Sequence, residues 1–240
     1  MTESASAVAP PIVRLPSVDS TQIYAARLAA NGAPDGTAVV AETQTRGRGR
    51  RGRVWHDAPG SCLLLSVILR SSLPAAQLPL LSLASAVAVA EALIAVAGVD
   101  ARLKWPNDVQ VRGRKIAGIL LERRADAIVL GIGVNVMQPE LVPELDAVTT
   151  SIARENGRTD REGLLSVVLD RVRQWRGRLE REGFAPVRAR WTALATTPGR
   201  HVSAEGVTGV ARGLDSDGAL IIETDAGATR VLAGDVVEVS

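Results

Sequence analysis

The segment that most constrains this chain is Gln44-Thr45-Arg46-Gly47-Arg48-Gly49-Arg50-Arg51-Gly52-Arg53-Val54-Trp55. It packs five arginines into eight residues with three glycines and no acid. Glycine lets the backbone adopt positive φ and approach a ligand closely. Arginine presents a planar fork of donors suited to phosphate or carboxylate. The segment must therefore be a loop between regular elements, and its chemistry is that of an anion cradle walled by Trp55. Gly47, Gly49 and Gly52 also fit the dinucleotide pattern G-x-G-x-x-G. That pattern needs a helix directly afterwards, and here Arg53-Val54-Trp55-His56 and a turn follow. Two readings remain for the loop: a small-molecule site that closes on its ligand, or a solvated basic loop that meets nucleic acid.

Net charge is only +2 over 240 residues, so positive charge is local and does not imply indiscriminate nucleic-acid binding. Aromatics make up 2% of the chain, leaving aliphatics to fill the core. One cysteine, Cys62, lies in the apolar run 62–69 and reads as a small core residue. A single cysteine allows no internal disulfide and suits a reducing cytoplasm. Among 28 basic residues only Lys104 and Lys115 are lysines. That bias is either chance or a requirement for a compact ammonium at those positions.

Residues 1–10 have no basic start and no apolar stretch, so they read as a disordered tail without a signal peptide. A strand is expected over Ile12–Val18, then a helix over 21–30 capped by Asp19-Ser20-Thr21 and stopped by Asn31-Gly32. Strands follow at Thr37–Thr43 and 61–70. The run 77–98 is apolar, but Pro79, Ser82, Ser85 and Glu91 interrupt it, which favours a helix buried against a sheet over a membrane span. A strand enters Lys104-Trp105-Pro106-Asn107-Asp108, with Trp105 held extended by the proline. A hairpin turns at Arg112-Gly113-Arg114, and another strand covers 127–136. Leu164, Val168, Val172, Trp175 and Leu179 mark one face of a long helix over 161–182. A short helix at 184–195 precedes four or five short strands in 198–240, the pattern of a small barrel.

Taken alone, Asn107, Asp108 and Lys115 are ordinary turn residues. Asn135 either caps a strand end or offers an oxygen to a phosphate-bound metal. In order along the chain, however, come Asp19-Ser20-Thr21, Gln44 through Trp55, Lys104 through Asp108, Arg114-Lys115-Ile116-Ala117-Gly118-Ile119-Leu120 and Gly131-Ile132-Gly133-Val134-Asn135. This series resembles the biotin protein ligase family from about residue 14 to the C-terminus. The resemblance implies an α+β fold like the class II aminoacyl-tRNA synthetases and biotin synthetases. It would comprise a catalytic domain with a mixed sheet flanked by helices at 11–195 and a small SH3-like β-barrel at 196–240.

The resemblance also implies roles. Ser20, Thr21, Gln22, Gln44, Gly118 and Gly133 would line a biotin pocket, with Gln22 standing where relatives often carry asparagine. Arg48, Gly49 and Arg50 would belong to a loop that folds over biotin and its adenylate, mobile over 46–53 until a ligand binds. Trp55 would pack beside the ligand, and Arg53 would meet nucleotide phosphates. Lys115 would contact the reacting carboxylate and phosphate. Asn107 and Asn135 would serve the nucleotide and its Mg²⁺. The implied substrates are ATP and biotin. The implied partner is the biotin carboxyl carrier protein domain of a biotin-dependent carboxylase, with neither DNA nor membrane involved. Fewer than twenty residues precede Asp19, as expected of a short form without a DNA-binding domain. A lipoate or octanoate ligase is the nearest alternative, and a basic-loop nucleic-acid module the more distant one.

Overall fold

A computed structural model describes residues 10–124, 127–137, 143–155, 157–158 and 160–239. The expected N-terminal tail therefore lies outside the described residues except for Pro10. The chain forms strands β1 (Ile12–Leu15), β2 (Ala38–Ala41), β3 (Cys62–Leu69), β4 (Arg102–Lys104), β5 (Asp108–Val111), β6 (Arg114–Arg124) and β7 (Ala127–Asn135). These make one mixed seven-stranded sheet in the order β1-β2-β3-β7-β6-β5-β4. Only β1 and β2 run parallel; the other neighbours are antiparallel. Strand β1 stops short of the expected Val18 because Pro16 has no N–H for the ladder, and Val18 makes a single bridge to Gln44 instead.

The helices are α1 (Thr21–Ala30), α2 (Leu80–Ala92), a single turn α3 (Pro143–Asp146), α4 (Arg161–Glu182) and α5 (Ala185–Leu194). Five further strands, β8 (His201–Ala204), β9 (Val207–Leu214), β10 (Leu220–Thr224), β11 (Gly227–Val231) and β12 (Val237–Glu238), form an antiparallel sheet ordered β11-β10-β9-β8-β12. By length and composition Ala75–Ala97 is apolar enough to cross a membrane, with mean hydropathy 2.2, yet 72% of that window is buried inside the fold. Its alanines let it lie close between the sheet and α4. The five residues at the helical spacing in α4 are all buried against it.

The strand period of two divides the large sheet into unlike faces. On β3, Leu63, Leu65, Val67 and Leu69 point into the core beneath α2 and α4, as do Ile128, Leu130, Ile132 and Val134 on β7. The opposite face carries Ile68 and Val129 under Ala25 and Ala29 of α1. Further along that face stand Ser66, Gly131, Gly133 and Asn135, with Leu64 and Cys62 the apolar residues beside them on β3. The sheet is thus covered fully on one side and half covered on the other, and the uncovered half is the floor of a pocket.

Two local features aim side chains into it. The β5–β6 turn places both Arg112 (φ 50°) and Gly113 (φ 77°) in the left-handed region, the backbone of a tight two-residue hairpin. Beyond it, β5 and β6 pair Asp108 with Gly118 and Val109 with Ala117, but then Gln110 with Lys115, so Ile116 is an extra residue. A bulge of this kind re-aims the neighbouring side chain. Without it Lys115 and Gly118, three apart, would face opposite ways. With it the Lys115 Nζ lies 2.9 Å from where a Gly118 Cβ would stand. Trp105 departs from expectation: its peptide bond to Pro106 is cis and it sits in a turn. Its indole is buried and donates to Gly218 O at 3.2 Å, tying the two sheets together.

Candidate active site

The pocket has a volume of about 400 Å³. Every residue singled out above for biotin, nucleotide or metal lies on its wall: Ser20, Thr21, Gln22, Gln44, Arg48, Gly49, Arg50, Arg53, Trp55, Asn107, Lys115, Gly118, Gly133 and Asn135. Segments from five parts of the sequence are brought together there. Both lysines of the chain, Lys104 and Lys115, line it.

One end is uncharged and, apart from the Ser20 hydroxyl, bonded within itself. Gln44 Oε1 accepts from Thr21 N at 2.8 Å and from Thr21 Oγ1 at 3.1 Å. Ser66 Oγ lies 2.9 Å from Thr21 Oγ1 and 3.1 Å from Gln22 Oε1, while Gln22 Nε2 donates to Val129 O at 2.9 Å. The longer side chain at position 22 is therefore absorbed by the sheet. Gly131 makes room for it, since a Cβ there would stand 2.7 Å from Gln22 Oε1. The expectation that Asp19-Ser20-Thr21 act as a helix cap is corrected. Ser20 occupies the N-cap position but its side chain makes no capping bond. Among the described residues its buried hydroxyl has no hydrogen-bond partner, while the Thr21 N–H, at the first helical position, donates to Gln44 Oε1. A buried donor left open in this way is costly unless a ligand meets it.

Trp55 lies flat on the glycines. A Cβ on Gly133 would come within 2.6 Å of its ring and one on Gly118 within 3.2 Å. Its Nε1 is also buried and has no hydrogen-bond partner among the described residues. Lys115 joins this ring to the charged end: its ammonium is 5.9 Å from the indole centroid and 2.6 Å from Asp108 Oδ1.

The charged end is the arginine segment, which folds as a small hairpin. Gly49 N donates to Arg53 O at 2.7 Å and Trp55 N to Gly47 O at 3.1 Å. Gly47 is required there, because a Cβ would stand 2.4 Å from Trp55 O. At the tip Arg51 (φ 55°) and Gly52 (φ 76°) take left-handed backbone. Arg50 turns inward, donating to Asn107 Oδ1 at 2.9 Å and Gly234 O at 3.5 Å. Burial lowers its pKa from the usual guanidinium value, with Asp235 opposing the shift; the group remains cationic. Arg48 pairs with Glu122 at 3.0 Å, Arg51 with Glu205, and Arg53 with Asp235 at 3.0 Å.

Asn107 Nδ2 donates to Ile119 O at 2.8 Å, so its carboxamide is held from both sides. Its oxygen faces the Arg50 guanidinium, an arrangement that disfavours a second cation. Asn135 is open in the sense a cation needs. Its Nδ2 donates to Thr150 O at 2.9 Å, and among the described residues its Oδ1 meets only the Cys62 thiol, at 3.7 Å. Burial pushes that thiol up to about 11, so Cys62 stays protonated near neutrality and is no nucleophile. Among the described residues no cluster of three or more His, Cys, Asp or Glu could hold a metal ion.

Several wall and anchor residues escaped sequence reasoning. Ser66 carried a readable signal, a hydroxyl amid an otherwise aliphatic strand. Asp57, read only as part of a turn, accepts from Thr43 Oγ1 at 2.9 Å and Gln44 N at 3.2 Å and anchors the base of the hairpin. Val148 and Thr149 line the pocket, and Glu205 and Asp235 hold its roof, all from positions with no local signature.

A mixed sheet with a half-open face, joining an uncharged hydrogen-bonding end to a cationic one, matches a known class. Residues 15–137 fit the biotin/lipoate A/B protein ligase family. Residues 198–237 fit the biotin protein ligase C-terminal domain. The chain belongs to the biotin protein ligase family. It is 37% identical over 232 residues to the bifunctional ligase/repressor BirA of Bacillus subtilis, covering 91% of this chain and 71% of that one. To the biotin–[acetyl-CoA-carboxylase] ligase of Paracoccus denitrificans it is 37% identical over 243 residues, covering 92% and 98%. The structure of the Aquifex aeolicus biotin protein ligase in complex with biotin and ATP superposes with a TM-score of 0.86 at 32% identity, covering 95% of this chain and 97% of that one.

Proposed function

We propose that this protein is an ATP-dependent biotin ligase that biotinylates a lysine of a carboxylase carrier domain. In the first step a biotin carboxylate oxygen bonds to the α-phosphorus of ATP and pyrophosphate leaves, giving biotinyl-5′-adenylate. In the second, the carrier lysine amine attacks the carbonyl of that anhydride, an amide forms, and AMP departs. The observation that carries this reading is the division of one pocket into an uncharged and a cationic end, with Lys115 at the join.

Biotin would occupy the uncharged end, where the open Ser20 hydroxyl and the Thr21–Gln44–Ser66 network offer polar partners for its ureido ring. Its carboxylate would then lie towards Lys115, and the nucleotide under Arg50 and Arg53. Bringing two anions together requires preset positive charge, which these cations supply without reorganisation. Mg²⁺ carried on the phosphates would add to that charge, with Asn135 Oδ1 as the protein oxygen placed to meet it. Asn107 would act by fixing Arg50. Arg48 and Trp55 would cover the anhydride and keep water from it. Residues 11–195 would then form the catalytic unit and 196–240 a smaller one that reaches the roof. A lone thiol held protonated suits the cytoplasm, where we place the reaction.

Pyrophosphate release with ATP and Mg²⁺, compared for biotin, lipoate and octanoate, tests the reading. Release that depends on biotin is expected. Release with lipoate or octanoate but not biotin would transfer the protein to the lipoate branch.

A further inference from the structure

Lys115 and Asn135 stand on neighbouring strands, and one segment outside every motif above holds them both. The Lys115 N–H donates to Val148 O at 2.9 Å, and Lys115 O accepts from Thr150 N at 2.8 Å. Lys115 sits at the bulge, where the β5–β6 ladder is irregular, and its backbone bonds go to this strap. Asn135 Nδ2 donates to Thr150 O at 2.9 Å, and Asn135 O accepts from Ile152 N at 3.0 Å. Thr150 thus bonds Lys115 through its N–H and Asn135 through its carbonyl.

The Thr150 side chain is fixed in turn. Its hydroxyl donates to Glu155 Oε1 at 2.7 Å. The same carboxylate receives Arg114 Nη2 at 2.7 Å and lies 3.5 Å from Arg112 Nη1, the two arginines flanking the tip of the β5–β6 turn. The Glu155 side chain is only 2% exposed. A carboxylate taken out of water is seldom the most stable choice for such a position, since apolar residues of similar volume often serve as well or better. What this carboxylate does is join the hairpin turn before Lys115 to the residue that holds both Lys115 and Asn135.

We propose that Glu155 is a positioning residue for adenylate formation, acting through Thr150 to fix the Lys115 ammonium relative to the Asn135 carboxamide. The proposal rests on the ligase reading of those two residues. Misplacing a reacting geometry by about 1 Å costs up to about 10²-fold in rate.

The test uses the full chain with ATP, Mg²⁺ and biotin, and follows pyrophosphate release, biotin affinity without nucleotide, and thermal melting. Glu155→Ala and Thr150→Val are expected to lower kcat by about tenfold to a hundredfold. Biotin affinity should hold, because Ser20, Thr21 and Gln44 make no bond to the strap. Thr150→Ser, which keeps the hydroxyl, should recover the wild-type kcat, and it carries the test if Glu155→Ala fails to fold. The proposal is overturned if Thr150→Val turns over like wild type, if Thr150→Ser is as slow as Thr150→Val, or if biotin affinity falls along with kcat. Wild-type protein that releases no pyrophosphate with biotin would sink the ligase reading itself, whatever the variants do.

Discussion

The floor and the roof of the pocket are built on opposite plans. On the floor, Thr21, Gln22 and Ser66 are buried to 4% exposure or less, and they bond to one another, to Gln44 or to the sheet backbone. Glycines at 118, 131 and 133 let Trp55, Lys115 and Gln22 lie against the strands. The roof is held by ion pairs that water reaches: Arg51–Glu205 at 49% and 46% side-chain exposure, Arg53–Asp235 at 58% and 40%. Exposed pairs of this kind contribute roughly 0–1 kcal/mol each. A nucleotide phosphate offers the same arginines stronger, charge-assisted partners. The floor is therefore fixed before a ligand arrives, and the roof can exchange protein carboxylates for ligand oxygens at little cost. On the proposed reaction, selection of the acid would fall to the floor and capture of the nucleotide to the roof.

Lys115 belongs to neither half, and its loss should show the largest effect. On the proposed mechanism, Lys115→Ala removes a preset cation from where charge would build up, so kcat for pyrophosphate release should fall about 10²–10³-fold. Biotin affinity should change much less. A comparable loss in both would mean that Lys115 is part of the floor. The floor itself is tested by Gly133→Ala. The new methyl would stand 2.6 Å from the Trp55 ring, so Trp55 must leave the strand. Overpacking of this sort costs about 1–3 kcal/mol; where biotin binding needs Trp55 on the strand, that cost should weaken it by about fivefold to 150-fold, as isothermal titration can measure. Unchanged affinity would show the ring to be as replaceable as the roof.

How far these plans could be read from the sequence follows the range of the interactions involved. The 161–182 helix was legible from period alone, since its apolar face meets a single partner layer. The pocket residues were legible through the order of motifs that resembles the biotin protein ligase family; taken alone, Asn107, Lys115 and Asn135 stay undecided. Propensity makes Ser20 a helix cap, but no local window shows that its hydroxyl makes no capping bond in the folded pocket. The bulge at Ile116 has no signature in composition, yet it decides which face Lys115 occupies. Least legible were the acids of the roof and the strap. Glu205 and Asp235 meet the arginine hairpin from 154 and 182 residues away, and Glu155 reaches Arg114 across 41. Charge complementarity over such spans depends on the finished fold, and nothing in a local window records it.

The smallest effect expected is also the one that separates the two plans most cleanly. Asp235→Asn removes the carboxylate opposite Arg53 but keeps its shape and hydrogen-bonding capacity. Since the pair is half exposed, stability should shift by less than about 1 kcal/mol. If the roof pairs are placeholders that a phosphate displaces, freeing Arg53 should lower KM for ATP, by about twofold on the same scale. Biotin affinity should be untouched, because no floor residue meets Asp235. Raising ionic strength to about 1 M shortens the screening length to about 3 Å, so the difference between wild type and variant should disappear in high salt. A KM that rises in the variant would mean that Asp235 holds the hairpin in its nucleotide-bound shape. The roof would then be preorganised like the floor, with Arg53 set in place before the nucleotide arrives.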